Sequence, residues 1–254
     1  MNMSQILSIS RSGLNAYQRE MDVVSNNLAN VDTLGYKDKR TTFQELLNNG
    51  TNANEVGLSQ NAGNIAINAG LNVQQVNENL GQGVFKSTAG TYDLAIDGEG
   101  YFGVRDGANN LYLTRDGSFR RDVDGNLVTS KGMKVEVQSN VPSSQWPKDG
   151  GISTSGYVSI GNVRVGRILL FRPQNSIDMN DIGNNLYRCD GNLISSANNN
   201  AGFGQINQGL VELSNVDVAD TMSKMIITQR AYQMNSKALQ STDEMLQTIN
   251  KFTE

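Results

Sequence analysis

The sequence contains no histidine among its 254 residues and only one cysteine, Cys189. The absence of histidine excludes Ser-His-Asp and Cys-His catalysis, histidine metal sites and histidine pH switches. A single cysteine cannot form an internal disulfide or a cysteine zinc cluster. We therefore expect no catalytic residues and no metal site, and we expect Cys189 to be a small buried or half-buried side chain.

Long apolar runs and clustered positive charge are also missing. No run approaches the ~20 apolar residues that a bilayer span requires, so we expect a protein that does not span a membrane. The net charge is −4 and the pI is about 5.0. Nucleic-acid binding requires a basic stripe, so no nucleic-acid partner is expected. The N-terminus lacks the basic start and apolar core of a secretory signal, so we expect any export to use another route.

The longest patterned stretch is at the C-terminal end, where no glycine or proline interrupts residues 215–254. An apolar residue at every seventh position, with partners three or four residues away, is typical of a helix with one apolar stripe. We expect this helix to run from Asp217 to Lys251, over roughly 50 Å at about 1.5 Å per residue. The stripe comprises Val218, Met225, Tyr232, Leu239 and Leu246.

Residues 4–31 carry a second stripe, with Leu7, Leu14, Met21 and Leu28 seven apart. Its spacing is that of a coiled-coil seam, although Gly13 costs the helix about 1 kcal/mol relative to alanine. The C-terminal helix also has a second apolar row beside its first. Because one partner helix covers only one row, we expect the two helices to pair with each other and with neighbouring molecules. A helical hairpin that closes one compact domain is the alternative. The second row comprises Ile227, Ala231, Met234, Ala238 and Met245.

The middle of the chain predicts β-structure. Asp-Gly pairs at positions 97, 106, 116 and 124 have the spacing of short antiparallel strands joined by tight turns. The expected fold class is α+β, with paired coiled-coil-like terminal helices and an all-β central domain of sandwich or open-barrel type. The expected domains are a discontinuous helical domain (1–35 with 213–254), an extended linker segment (36–90) and a β-rich domain (91–212). Within the linker, Phe43, Leu46 and Leu47 suggest a short helix.

Two motifs resemble ligand sites but lack the required context. Residues 98–103 (GEGYFG) match the dinucleotide-binding pattern, which needs a helix to follow, whereas a further strand is expected here. Residues 122–126 (DVDGN) begin like a calcium loop, but Leu127 and Met133 occupy the positions that need glycine and a carboxylate. We therefore expect neither a cofactor nor a metal.

Several motifs resemble those of the bacterial flagellar rod and hook axial protein family, in the family's order. The N-terminal one is residues 25–37 (SNNLANVDTLGYK). The central ones are residues 93–102 (DLAIDGEGYF), 113–119 (LTRDGSF) and 125–129 (GNLVT). The C-terminal ones are residues 209–217 (GLVELSNVD) and 229–238 (QRAYQMNSKA). The resemblance covers most of the chain.

The resemblance implies a structural subunit that polymerises through its terminal helices into a helical tube, and that transmits torque from motor to hook. A distal rod position is favoured, and a proximal rod or hook-family subunit is the alternative. The implied partners are further copies of the chain, other rod and hook axial proteins, and the flagellar export apparatus. An enzyme or a monomeric adhesin module is a weaker alternative. The expected subunit-interface residues are Leu14, Tyr17, Met21, Val24, Asn26, Asn27, Leu28, Asn30, Val31, Val218, Met225, Gln229, Tyr232, Asn235, Leu239 and Leu246.

Overall fold

The computed structural model describes residues 3–48, 67–139, 141, 150–160, 163–175, 178–197 and 202–253. The chain forms two compact units. Unit 1 combines Met1–Ala29, Asp38–Asn79 and Asp217–Glu254, and unit 2 combines Asn30–Lys37 with Leu80–Val216. The chain therefore passes from one unit to the other after residues 29, 37, 79 and 216. The domain boundaries predicted from the sequence remain predictions.

The described part of unit 1 consists of two helices and a long antiparallel pair of strands. Its elements in chain order are α1 (Met3–Ala29), β1 (Lys39–Asn48), β2 (Ile67–Glu78) and α2 (Val218–Thr253). Helix α1 packs against α2, β1 and β2. Asp217 caps α2, because its carboxylate accepts hydrogen bonds from the backbone N–H groups of Ala219 (2.8 Å) and Asp220 (3.1 Å).

The short helix suggested around Phe43 is wrong, because this segment belongs to strand β1. Lys39 pairs with Glu78 at one end of the ladder and Asn48 with Ile67 at the other. The ring centroid of Phe43 lies 6.1 Å from that of Tyr17 on α1. Cross-strand pairing and packing against α1 therefore override a local helical pattern, as is common for short apolar runs. The rest of the predicted linker between the two strands lies outside the described residues.

Unit 2 is built from short strands, most of them joined by tight turns. Two sheets form most of this unit. In the smaller sheet the strand order is β10 (Val137–Ser139), β13 (Val163–Ile168), β12 (Tyr157–Ile160) and β11 (Gly151–Ile152). The larger sheet is centred on the antiparallel pair of β5 (Tyr101–Arg105) and β6 (Leu111–Thr114). Two further pairs, β4 with β18 and β3 with β19, bring the segment before the sheets beside the segment after them. The described strands are β3 (Phe85–Ser87), β4 (Leu94–Asp97), β5 (Tyr101–Arg105), β6 (Leu111–Thr114), β7 (Arg120–Arg121), β8 (Leu127–Val128), β9 (Lys134–Val135), β10 (Val137–Ser139), β11 (Gly151–Ile152), β12 (Tyr157–Ile160), β13 (Val163–Ile168), β14 (Leu170–Pro173), β15 (Met179–Asp181), β16 (Tyr187–Cys189), β17 (Leu193–Ser195), β18 (Gln205–Gln208) and β19 (Leu210–Glu212).

The main core of unit 2 surrounds Phe102 and Phe119, whose rings meet edge to face at a centroid distance of 5.0 Å. Leu94 and Val104 are fully enclosed in the same cluster. Strand β5 begins within the dinucleotide-like motif, at Tyr101, and the two glycines before it, Gly98 and Gly100, form a turn with φ of 109° and 128°. Two helices and a central, mostly β region confirm the α+β fold class. The sandwich or barrel form and the coiled-coil character remain predictions.

Candidate assembly surface

The face of α2 that packs against α1 is half polar. Thr221, Thr228 and Thr242 on this face are buried, and Asn235, which completes their seven-residue spacing, is half-buried. The hydroxyls of Thr221 and Thr242 donate to backbone carbonyls one turn earlier in the same helix. Between them lie half-buried apolar residues, so the α1–α2 seam alternates polar and apolar layers. A polar layer in such a seam reduces stability but fixes the register of the two helices.

Asn235 fixes the register directly. Its side-chain amide donates to the backbone carbonyl of Ser10 on α1 at 3.0 Å. The amide lies so close to Gly13 that a Cβ atom built there would approach its nitrogen to 2.5 Å. The glycine that weakens α1 as an isolated helix is therefore the position that admits the side chain of Asn235.

A second polar contact in the seam joins Glu20 of α1 to Thr228 of α2, whose hydroxyl hydrogen-bonds to the carboxylate. Partial burial raises the pKa of Glu20, while the hydrogen bond from Thr228 and the charge of Lys224 oppose that shift. The ionised carboxylate is thus less favourable here than in water, which makes the α1–α2 seam sensitive to pH.

A second side of α2, about 100° around the helix from the buried threonines, exposes large apolar side chains, which we call the outer α2 face. Ile227, Met234 and Phe252 are 63%, 67% and 85% exposed. Single exposed apolar residues are normal on a protein surface, but a row along one helix indicates a contact site. From Ile227 to Ala238 the row follows steps of four, three and four, and Met245 and Phe252 continue it at steps of seven, parallel to the α1–α2 seam. The outer α2 face comprises Ile227, Ala231, Met234, Ala238, Met245 and Phe252.

The predicted interface residues fall into three groups. Val24 and Asn27 are buried, and Asn26, Val218, Gln229 and Tyr232 are exposed. Asn30 and Val31 belong to unit 2, whereas the others belong to unit 1. Their role in subunit contacts remains a prediction. The half-buried group comprises Leu14, Tyr17, Met21, Leu28, Asn30, Val31, Met225, Asn235, Leu239 and Leu246.

Asn27 holds the start of β1 onto the end of α1. Its amide nitrogen donates to the Asp38 carboxylate and to the Lys39 carbonyl, both at 2.8 Å, and its amide oxygen accepts from the Lys39 N–H at 3.0 Å. The side chain is buried, and its amide group makes these three hydrogen bonds. Asn27 therefore acts within the monomer, as an anchor of unit 1.

A buried ion cluster lies in unit 2, and the sequence analysis did not predict it. The side chain of Glu212 is fully buried, and its carboxylate contacts the Lys37 ammonium at 2.6 Å and the Arg115 guanidinium at 3.4 Å. The Gly83 N–H donates to the same carboxylate at 2.9 Å. Burial lowers the pKa of the Lys37 ammonium, and its hydrogen bond to Glu212 opposes that shift.

The buried ion cluster joins three of the sequence motifs. Lys37 ends the N-terminal motif, Arg115 lies in a central one and Glu212 lies in a C-terminal one. Gly35 adds a backbone link, since its N–H donates to the Glu212 carbonyl at 2.8 Å. Gly35 has a φ of 68°, and a Cβ atom there would come within 2.7 Å of the Arg115 backbone. Glycine is therefore required at this position.

Comparisons with known proteins agree with this arrangement of motifs. Three family profiles match: "Flagella basal body rod protein" over residues 7–37, "Flagellar hook protein FlgE/F/G D1 domain" over residues 95–160, and "Flagellar basal body rod FlgEFG protein C-terminal" over residues 207–252. The flagellar basal-body rod protein FlgG of Buchnera aphidicola (subsp. Schizaphis graminum) is 35% identical, covering 96% of this chain and 98% of the relative. The chain belongs to the flagellar basal-body rod protein family.

Other relatives of this rod protein have a similar degree of identity. FlgG of Bacillus subtilis is 35% identical over 94% of this chain and 95% of its own length. The rod protein FlgF of Caulobacter vibrioides is 33% identical over 96% of this chain and 95% of its own length. As a member of this family, the chain is a structural subunit of the rod in the flagellar basal body. None of the described helices is long and apolar enough to cross a membrane.

Proposed function

We propose that this rod protein polymerises through its helices into a tube, and that the outer α2 face is the surface where a helix of a neighbouring copy packs. The observation that carries the proposal is the exposure of Ile227, Met234 and Phe252 in one row, while a neighbouring face of α2 packs against α1. A contact between different faces of identical subunits generates a helical filament when its rotation does not close into a ring. The coiled-coil character of the helices belongs to this proposal.

The size of this surface favours many weak contacts per subunit. Fully burying a large apolar side chain contributes about 1.5–3 kcal/mol, so Ile227, Met234, Met245 and Phe252 together contribute at most ~6–12 kcal/mol. Association costs about 4–15 kcal/mol of lost motion. One such contact therefore roughly cancels its own cost, and a copy is held firmly only when several neighbours engage it. This behaviour suits a cooperative polymer that carries torque.

Charge on the outer α2 face tests the proposal. Ile227→Glu combined with Met234→Glu should abolish assembly of purified protein and swimming of cells, because both charges would be desolvated at the contact. The far-UV circular dichroism of the monomer should be unchanged, since both side chains are exposed. Gln233→Glu, an exposed position on the same helix outside this row, is the matched control and should assemble. Normal filaments from the double variant would refute the proposed contact.

The position along the rod belongs to the same proposal. Relatives named FlgG support the distal position, and the FlgF relative, at nearly the same identity, supports another rod position as the alternative. We also propose that the chain works without catalysis, with other rod and hook proteins and the flagellar export apparatus as its partners. Locating a labelled copy of the chain along purified basal bodies distinguishes the two positions.

A further inference from the structure

One end of the larger sheet of unit 2 carries a row of positive charges. Arg120 on β7 pairs with Val128 on β8, and Val128 pairs with Lys134 on β9. Lys134 in turn pairs with Arg105 on β5. Residues that pair across neighbouring strands lie on the same face of a sheet, so Arg120, Lys134 and Arg105 project from one face. Lys131 lies in the turn between β8 and β9. We call Arg120, Lys131 and Lys134 the basic edge.

The three cations of the basic edge are available to a partner. Their side chains are exposed, and they form no ion pair or side-chain hydrogen bond with the described part of the chain. Arg105 differs from them, because Glu136 already neutralises its charge. Residues 120–134 hold four cations and two carboxylates, a net charge of +2. This end of the sheet therefore attracts negatively charged surfaces.

The opposite end of the same sheet is negatively charged. Seven of its strands follow one another in the order β15-β16-β6-β5-β9-β8-β7, so β15 and β7 are the two ends. At about 4.8 Å per strand, these ends lie roughly 29 Å apart along the sheet. Residues 178–190 hold three carboxylates and one cation, a net charge of −2. The cation is Arg188, which contacts Asp190 at 2.9 Å. We call Asp178, Asp181 and Asp190 the acidic edge.

The two edges also match in shape. A cleft of about 430 Å³ opens beside the basic edge, and Lys134 lines it together with the apolar side chains of Leu127 and Val135. On the acidic edge, Ile182 directly follows Asp181 and is 44% exposed. An apolar side chain beside a carboxylate thus complements an apolar cleft beside an ammonium group.

We infer that the basic edge of one copy binds the acidic edge of a neighbouring copy, with Ile182 of that neighbour in the cleft. The inference rests on the polymer proposed above and adds a second contact to it, made by unit 2 and not by the helices. Each copy has a net charge of −4, so two copies repel each other unless complementary surfaces meet. Charge complementarity mainly fixes which surfaces meet. Because the two edges differ, the contact is heterologous and can continue from copy to copy.

The test measures the concentration at which half of the purified full chain sediments as polymer. Arg120→Glu combined with Lys134→Glu makes the basic edge acidic and should raise this concentration by at least about tenfold. Asp181→Lys combined with Asp190→Lys should have the same effect through the other edge. A chain with all four substitutions has both edges reversed, so its copies should attract each other again and recover assembly.

Lys86→Glu combined with Arg164→Glu is the control, because it changes the net charge equally at two exposed cations of unit 2 outside the basic edge. The control should assemble like the native chain. High salt provides a measurement that does not need the four-substitution chain to fold. It should reduce the difference between the native chain and the Arg120→Glu, Lys134→Glu chain, because salt screens exposed charges.

Four results would overturn the inference and leave the contact of the outer α2 face standing. They are normal assembly of the Arg120→Glu, Lys134→Glu chain, an equal loss in the control, a difference that salt does not change, and no recovery in a four-substitution chain with native circular dichroism. A native chain that does not assemble would overturn both the inference and the proposed polymer.

Discussion

Removing the charge of Glu212 should be among the most damaging conservative changes in this protein. Glu212→Gln leaves the ammonium of Lys37 and the guanidinium of Arg115 in a buried site without their counterion. At an effective dielectric constant of about 20, unit charges at the 2.6 Å and 3.4 Å separations attract by roughly 6 and 5 kcal/mol before desolvation is counted. Breaking a buried ion pair by removing one partner typically costs about 3–5 kcal/mol, which we expect for unit 2.

A double-mutant cycle tests whether the ion pair itself carries this effect. Lys37→Met should cost less than Glu212→Gln, about 2–4 kcal/mol, because Glu212 keeps Arg115 and the Gly83 N–H as partners. In the combined variant no lysine charge is left unpaired. The combined loss should therefore fall short of the sum of the single losses by at least about 1.5 kcal/mol.

Urea unfolding of the full chain, followed by the β-sheet signal in circular dichroism, measures these losses. The two compact units can unfold separately, so the transition of unit 2 has to be fitted on its own. Arg188→Met is the control within unit 2, because Arg188 contacts Asp190 at 2.9 Å with both side chains about half exposed. It should cost at most about 1 kcal/mol. If Glu212→Gln costs no more than this control, or if the cycle is additive, the role given to the buried ion cluster is wrong.

Three further predictions concern unit 1 and are measured by thermal unfolding of its helices. Asn27→Ala should lower the free energy of unfolding by about 2–3 kcal/mol, because three hydrogen bonds are lost. Asp38→Ala should lower it less, because the hydrogen bonds between Asn27 and the backbone of Lys39 remain. Equal losses would contradict the role of Asn27 as an anchor. Gly13→Ala should not raise the free energy of unfolding of the native sequence, but should raise it by about 1 kcal/mol in a chain that also carries Asn235→Ala. A rise in both chains would contradict the close packing of Asn235 against Gly13. Glu20→Gln should stabilise the chain at neutral pH. Because the pKa of Glu20 is raised, the native state binds more protons than the unfolded state, and the free energy of unfolding falls as pH rises from the ordinary carboxyl range through the native pKa. This fall should be smaller in Glu20→Gln. An identical pH profile of the two proteins would refute the prediction.

The two helices could be predicted from the sequence because their signals are local. The apolar period, the lack of glycine and proline and the cap at Asp217 predicted 217–251, and the observed helix is Val218–Thr253. The predicted first stripe also matches a helix, Met3–Ala29. What the pattern could not reveal is that threonines and Asn235 share the seam with the leucines. The role of Asn235 depends on Gly13 and Ser10, more than 200 residues earlier in the chain.

The ion cluster and the β1–β2 pair have no local signal. Lys37 and Glu212 are 175 residues apart, and Arg115 and Glu212 are 97 apart. Charged residues are usually exposed, so nothing in their immediate sequence indicates burial. The only indication is that Lys37, Arg115 and Glu212 each lie in a motif that resembles one of the flagellar family. Strand β2 is rich in asparagine and glutamine, which weakens the alternation that identifies a strand, and its register is fixed by contacts with α1 and β1.

The buried ion cluster and the α1–α2 seam both join the beginning of the chain to its end. Lys37 contacts Glu212, and the Ser10 carbonyl accepts a hydrogen bond from Asn235. During synthesis from the N-terminus, neither unit can therefore form all its contacts until Glu212 and Asn235 have been made. Contacts this distant along the chain close slowly, because the intervening loop must first be ordered. Completion of the two units therefore depends on residues near the C-terminal end of the sequence, Glu212 for one and Asn235 for the other.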